Sequence, residues 1–99
     1  MNYKIIVSKR AQFEILDITD YYFQINLELV YKFYLKLEET YDYLRMYPYF
    51  QKRYKEFRII SIKKFPYILV FEIDENNKSV SILSCFHTSQ NPEKYPLKN

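Results

Sequence analysis

Not one of the 99 residues is glycine, so every turn in this chain is made by residues that carry a Cβ. Phosphate-cradling loops, dinucleotide fingerprints and nucleophile elbows place glycine where the backbone turns tightly or meets a ligand closely. None of them exists here in its usual form. Turns fall instead to proline and to Asn/Asp, and Asn76 and Asn77 are the residues expected to take the φ > 0 positions of the longest polar turn, Asp74-Glu75-Asn76-Asn77-Lys78.

Between these breaks the apolar pattern defines the elements. Tyr3 to Val7 alternates and is β-branched, as a short strand requires. Ser8 offers an N-cap, after which Ala11, Ile15, Ile18 and Tyr22 lay one stripe along a helix from about Lys9 to Phe23. Asn26 caps a second helix with the stripe Val30, Phe33, Tyr34, Leu37, Tyr41 and Leu44, which stops before Pro48. A link as short as Gln24-Ile25-Asn26 makes the two helices an antiparallel hairpin, and a hairpin alone leaves half of each stripe uncovered. Three runs supply the missing sheet: Phe57 to Lys63, Tyr67 to Ile73 after a turn at Pro66, and Val80 to Phe86. Ile68-Leu69-Val70-Phe71 is unbroken apolar, as in a central strand covered on both faces, whereas Phe57 to Lys63 is mixed and half exposed. The expected fold is a single α+β domain over residues 1–99, a helical hairpin on a small twisted, mainly antiparallel sheet in the order β-α-α-β-β-β. Eight Phe and twelve Tyr, each burying roughly 150–250 Å² when enclosed, supply its core.

The last run delivers the only histidine into His87-Thr88-Ser89-Gln90-Asn91-Pro92. Proline ends strand pairing there, so polar groups at this end meet water. One histidine and one cysteine cannot form an internal disulfide, a Cys-pair zinc site or paired-histidine ligation, and neither a metal nor a cofactor is expected. Cys85 reads as a small buried hydrophobe on one face with Leu83 and His87. No run reaches the roughly 20 apolar residues of a membrane helix, and the start is too briefly apolar for a signal peptide, so a cytoplasmic protein without a membrane partner is expected.

The net charge of +3 is unevenly distributed. Residues 11–44 set seven acids (Glu14, Asp17, Asp20, Glu28, Glu38, Glu39, Asp42) against Lys32 and Lys36, a local −5; residues 45–66 set Arg45, Lys52, Arg53, Lys55, Arg58, Lys63 and Lys64 against Glu56, a local +6. The basic segment is an attractive field for anions or a solvated surface. Within it Lys52-Arg53-Tyr54-Lys55 interleaves an aromatic with cations, as nucleic-acid surfaces do, and solubility accounts for it equally.

The order of these elements, together with Ser8-Lys9-Arg10-Ala11, Met46-Tyr47-Pro48, Phe57-Arg58-Ile59, the Tyr67 to Ile73 strand and Phe86-His87-Thr88-Ser89-Gln90-Asn91-Pro92-Glu93-Lys94-Tyr95, resembles the RelE/ParE superfamily of toxins over nearly the whole chain. The resemblance implies the toxin half of a bacterial type II toxin–antitoxin pair, a plasmid stabilisation protein. Its partner would be a cognate antitoxin, which folds a flexible segment onto the toxin and carries the pair to operator DNA. The RelE branch cleaves messenger RNA in the ribosome with Lys, Arg and a base or tyrosine around the sheet; Arg58, His87 and Tyr95 would be the catalytic candidates on that reading. Ile68 stands where that branch has a cation, and Ser89 or Gln90 where it has an arginine, departures that favour the ParE branch, which poisons DNA gyrase by binding. Lys52, Arg53, Lys55, Arg58, Lys63 and Lys64 would then contact target or antitoxin, and an inactive relic that only binds its antitoxin is the third reading the resemblance leaves open. His87 otherwise reads as a structural residue, and Arg58 as a surface ion-pair partner.

Overall fold

The computed structural model describes residues 2–89. Strand β1 (Lys4–Val7) leads into α1 (Lys9–Ile25) and α2 (Leu27–Met46), then a 3₁₀ turn over Pro48–Phe50, then β2 (Lys52–Tyr54), β3 (Phe57–Ser61), β4 (Tyr67–Asp74) and β5 (Ser79–His87). The helical hairpin lies on a five-stranded sheet in the order β1-β5-β4-β3-β2, antiparallel except for the parallel β1–β5 pair. This is the expected α+β architecture with one addition. The basic run at 52–54 pairs with β3 as a short edge strand, which three residues are too few to announce by alternation.

Each helix starts where its cap predicts. Ser8 Oγ accepts from Ala11 N at 3.1 Å. Asn26 serves both helices: its N–H closes α1 on Tyr22 O at 2.8 Å, and its Oδ1 opens α2 by accepting from Glu28 N at 2.8 Å. The link is therefore one residue, and α1 runs two residues beyond the expected Phe23. Ala11, Ile15 and Ile18 from α1 and Phe33, Leu37, Tyr41 and Leu44 from α2 bury against Leu69, Phe71, Val80, Ile82 and Cys85 of the sheet. Tyr22, Phe33, Phe65 and Tyr67 close one end of this core, with neighbouring rings 5.3–6.3 Å apart in edge and tilted contacts. β4 is central and Ile68 to Phe71 are buried, as expected, while β3 is only half covered. On the far face of the sheet Phe57, Ile68, Val70 and Phe86 form a second cluster.

Two expectations change. The left-handed positions are taken by Lys55, Lys64 and Lys78 (φ 56, 69 and 49), not by Asn76 or Asn77. Asn77 instead donates to Asp74, its N–H to Oδ1 at 3.1 Å and its Nδ2 to Oδ2 at 2.7 Å. Leu83 also parts from Cys85 and His87, because the β4–β5 ladder slips between Val70 opposite Ser84 and Phe71 opposite Ile82. Leu83 is the extra residue of this bulge and packs with the far-face cluster, while Cys85 joins the helix-side core.

Helix α1 seals the bulge. Glu14 Oε1 accepts from Ser84 Oγ at 2.7 Å and from Cys85 N at 2.9 Å, and Ser8 Oγ donates to Leu83 O at 3.1 Å. Burial, then the nearby Glu14 carboxylate, pushes the Cys85 thiol up to about 12. Glu14→Ala strands both donors, and such a loss costs about 1–3 kcal/mol. Urea denaturation should show that loss for Glu14→Ala and a smaller one for Glu14→Gln, which keeps an acceptor.

Candidate functional site

Two clefts flank the β2–β3 edge, and the basic residues divide between them. One, of about 530 Å³, lies at the β4–β5 turn and is lined by Tyr49, Arg53, Glu56, Arg58, Glu72, Ile73, Asp74, Glu75 and Asn76. Its two arginines face four carboxylic residues, so it is not the cationic hollow that the run of charge from 45 to 66 leads one to expect. The other, of about 720 Å³, is lined by Lys36, Glu39, Thr40 and Tyr43 of α2, by Phe50 and Gln51, and by Lys52, Ile59, Ile60, Ser61 and Lys63. Three ammonium groups and one carboxylate share that cleft with two aromatic rings and two isoleucines.

Arg58 sits directly opposite Arg53 on β2 and Phe71 on β4. Its Nη1 donates to Gln51 O at 3.2 Å, and its Cζ lies 5.3 Å from the Tyr49 ring centroid. His87 sits opposite Tyr67, with ring centroids 5.3 Å apart. Its Nδ1 accepts from Ser89 N at 3.1 Å and lies 2.8 Å from Ser89 Oγ. A backbone N–H donates only to an unprotonated nitrogen, so this network assigns the neutral ring's proton to Nε2. Both residues stand on the helix side of the sheet, since Phe71 and Tyr67 do. They are nonetheless four residues apart along β4 and two strands apart across it, on the order of 16 Å. The cleft that holds Arg58 does not include His87. Lys55 and Lys64 occupy the left-handed positions of the turns before and after β3. Tyr95 lies outside the described residues.

The sequence reading missed the group that organises the first cleft. Glu75 accepts from the Tyr3 hydroxyl at 3.0 Å, from Tyr49 Oη and from Lys78 Nζ. Lys78 also lies over the Tyr3 ring, 5.4 Å from its centroid. The set joins the start of the chain, the 3₁₀ turn and the β4–β5 turn. Tyr3 and Glu75 are 72 positions apart, a separation that no local pattern signals. The Lys78 ammonium, then the Tyr49 and Tyr3 hydroxyls, hold the Glu75 carboxyl at about 2, below its usual 4.5. Donation to Glu75 in turn pushes the Tyr49 hydroxyl up to about 12. A carboxyl depressed on folding stabilises the fold above its unfolded pKa and loses that contribution as pH falls through the folded value. The melting-temperature difference between the parent and Glu75→Gln should therefore be constant near neutrality and narrow from about pH 5 towards pH 2. A difference independent of pH would remove the role given to this carboxylate.

The architecture around these clefts has known counterparts. A solved structure of the chromosomal ParDE toxin–antitoxin system from P. aeruginosa superposes with a TM-score of 0.73 at 16% sequence identity, covering 88% of this chain and 97% of that one, a likeness of fold. No curated protein matches the sequence. Among the described residues no helix is long and apolar enough to cross a membrane. The family model for the ParE toxin of the parDE type II toxin–antitoxin system matches residues 5–92. With nearly the full length matched and the fold in agreement, the chain belongs to the ParE toxin family.

Proposed function

We propose that this ParE-family chain inhibits an essential target by binding it, that the target is DNA gyrase, and that a cognate antitoxin neutralises it. The observation that carries the binding reading over a nuclease one is the separation of Arg58 from His87. Phosphoryl transfer depends on charges and proton carriers converging within a few ångströms of one phosphorus. Here the guanidinium is engaged by Gln51 and Tyr49 at one end of the sheet, while the imidazole meets Ser89 and Tyr67 at the other. The choice of gyrase rests on the ParE family alone.

The antitoxin reading is supported by the cleft between α2 and the β2–β3 edge. Lys36, Lys52 and Lys63 beside Tyr43, Phe50, Ile59 and Ile60 match a segment that alternates carboxylates with apolar side chains and orders itself on contact. Arg53, Arg58, Lys55 and Lys64, which lie outside this cleft, would contribute to the rim or to the target.

Expression of the chain alone should arrest growth with filamentation and a DNA-damage response, and purified gyrase should lose supercoiling activity in its presence. Co-expression with the antitoxin should restore growth, and Lys36→Glu with Lys63→Glu should weaken antitoxin binding at least tenfold in calorimetry. His87→Gln should be as toxic as the parent. Removing an essential proton carrier costs about 10²–10⁴ in rate, so a loss of that size, or codon-phased cuts in messenger RNA, would replace inhibition by binding with ribonuclease activity.

A further inference from the structure

The cleft between α2 and the β2–β3 edge has two chemically different ends. Tyr43 and Phe50 line one of them, and the Tyr47 ring joins the two, its centroid 5.3 Å from that of Tyr43 and 5.9 Å from that of Phe50. Phe50 is the most exposed large apolar side chain among the described residues, at 77%. Lys36 and Lys63 line the other end. Lys36 precedes Tyr43 by seven positions on α2, about 10 Å along the helix axis. Lys63 follows Ile59 by four positions, on a chain that runs back towards the start of α2, since Phe65 packs on Phe33 with ring centroids 5.3 Å apart.

Each end presents a surface that a ligand completes. The three rings turn apolar area to water, and a flat aromatic group stacked on them removes that area from it. Glu39, which accepts from Lys36 at 3.3 Å, is the one carboxylate lining the cleft, while Lys52 and Lys63 take part in no ion pair among the described residues. Three ammonium groups against one carboxylate leave a positive field that favours an anion. The chain has no glycine to bring backbone N–H groups around a phosphate, so the ammonium groups carry that contact as point charges. Ser61, exposed, stands between the two ends, where its hydroxyl can meet a sugar. The volume of about 720 Å³ lies in the range of small-molecule sites. A base joined through ribose to two phosphates presents the same order of surfaces. A single strand repeats base and phosphate at every unit, whereas this cleft has one aromatic end and one cationic end.

We propose that this cleft binds a nucleoside di- or triphosphate. The base stacks at Phe50 and Tyr43, Ser61 faces the ribose, and Lys36 and Lys63 take the phosphates. The ligand occupies lysines that the antitoxin reading also uses, but the proposal does not rest on that reading, and its test needs no antitoxin.

The test is calorimetry and amide NMR on the 99-residue chain with ADP, and with adenosine and pyrophosphate as its two halves. ADP should bind more tightly than either half by about tenfold or more, and should shift amides around Tyr43, Phe50, Ser61 and Lys63. Phe50→Ser should weaken ADP and adenosine about tenfold and leave pyrophosphate unchanged. Lys36→Gln with Lys63→Gln should weaken ADP and pyrophosphate about tenfold and leave adenosine unchanged. Phe50 and Lys63 are exposed and Lys36 is half-buried, so the fold is retained, as an unchanged amide spectrum elsewhere would verify. Equal affinity for ADP and pyrophosphate would reduce the cleft to an anion site, and equal affinity for ADP and adenosine to a stacking surface; either result overturns the proposal. So would shifts confined to the cleft at the β4–β5 turn, no binding at millimolar ADP, or a short oligodeoxyadenylate that binds more tightly than ADP by about tenfold, which would assign the surface to single strands.

Discussion

One carboxylate holds the helical layer to the sheet at the place where the sheet is irregular. The bulge at Leu83 lets Val80 and Ile82 before it, and Cys85 and His87 after it, stand opposite Ile73, Phe71, Leu69 and Tyr67 of β4. Without the extra residue, strict alternation would send Cys85 and His87 to the far face and break the helix-side core in two. A bulge leaves backbone and side-chain polar groups without ladder partners, which burial would make costly. Glu14 answers the Ser84 hydroxyl and the Cys85 amide, Ser8 answers the Leu83 carbonyl, and Arg10 holds the second oxygen of Glu14 at 3.4 Å. The segment that caps α1 therefore also fixes the register of β5, and through it the position of the only histidine.

The helices were legible because their information is local. Ser8 and Asn26 act on residues two or three positions away, and the stripes at Ala11, Ile15, Ile18 and at Phe33, Leu37, Tyr41, Leu44 are read from spacing alone. Strand β4 was legible for the same reason, since four consecutive apolar residues describe a strand with two covered faces. The bulge was not, because the slip depends on which residue of β4 each residue of β5 faces, and alternation is silent about partners. Nor was the choice of turn residue. Asparagine has the lower intrinsic cost at φ > 0, but register leaves the left-handed position at Lys78, where its ammonium reaches Glu75.

The same limit governs the site. A net charge summed over residues 45–66 treats a segment as a surface, but β2 and β3 are neighbouring strands whose alternate residues face opposite ways. Arg53 and Arg58 are brought together and then meet carboxylates from β4, from the turn before β3 and from the β4–β5 turn, whereas Lys52 and Lys63 join Lys36 of the segment that reads as acidic. Charge patterning along a chain thus predicted the presence of cations at this edge and not their grouping. Grouping follows from pairing.

The aromatic content gains a second meaning in this light. A hairpin over a sheet has one interior between its layers, and the far face of the sheet adds a smaller cluster. The apolar residues of α1 and α2 exceed what that interior takes up, because each helix carries a second apolar arc opposite the buried one. Such an arc on a small domain invites self-association. Asp20 interrupts this arc and Asp17 and Glu38 border it, which places exposed charge within the apolar surface, as soluble surfaces do. The acidity of the hairpin and its second apolar arc thus share one surface, so the charge read along residues 11–44 and the aromatic excess read from composition are two features of the same face.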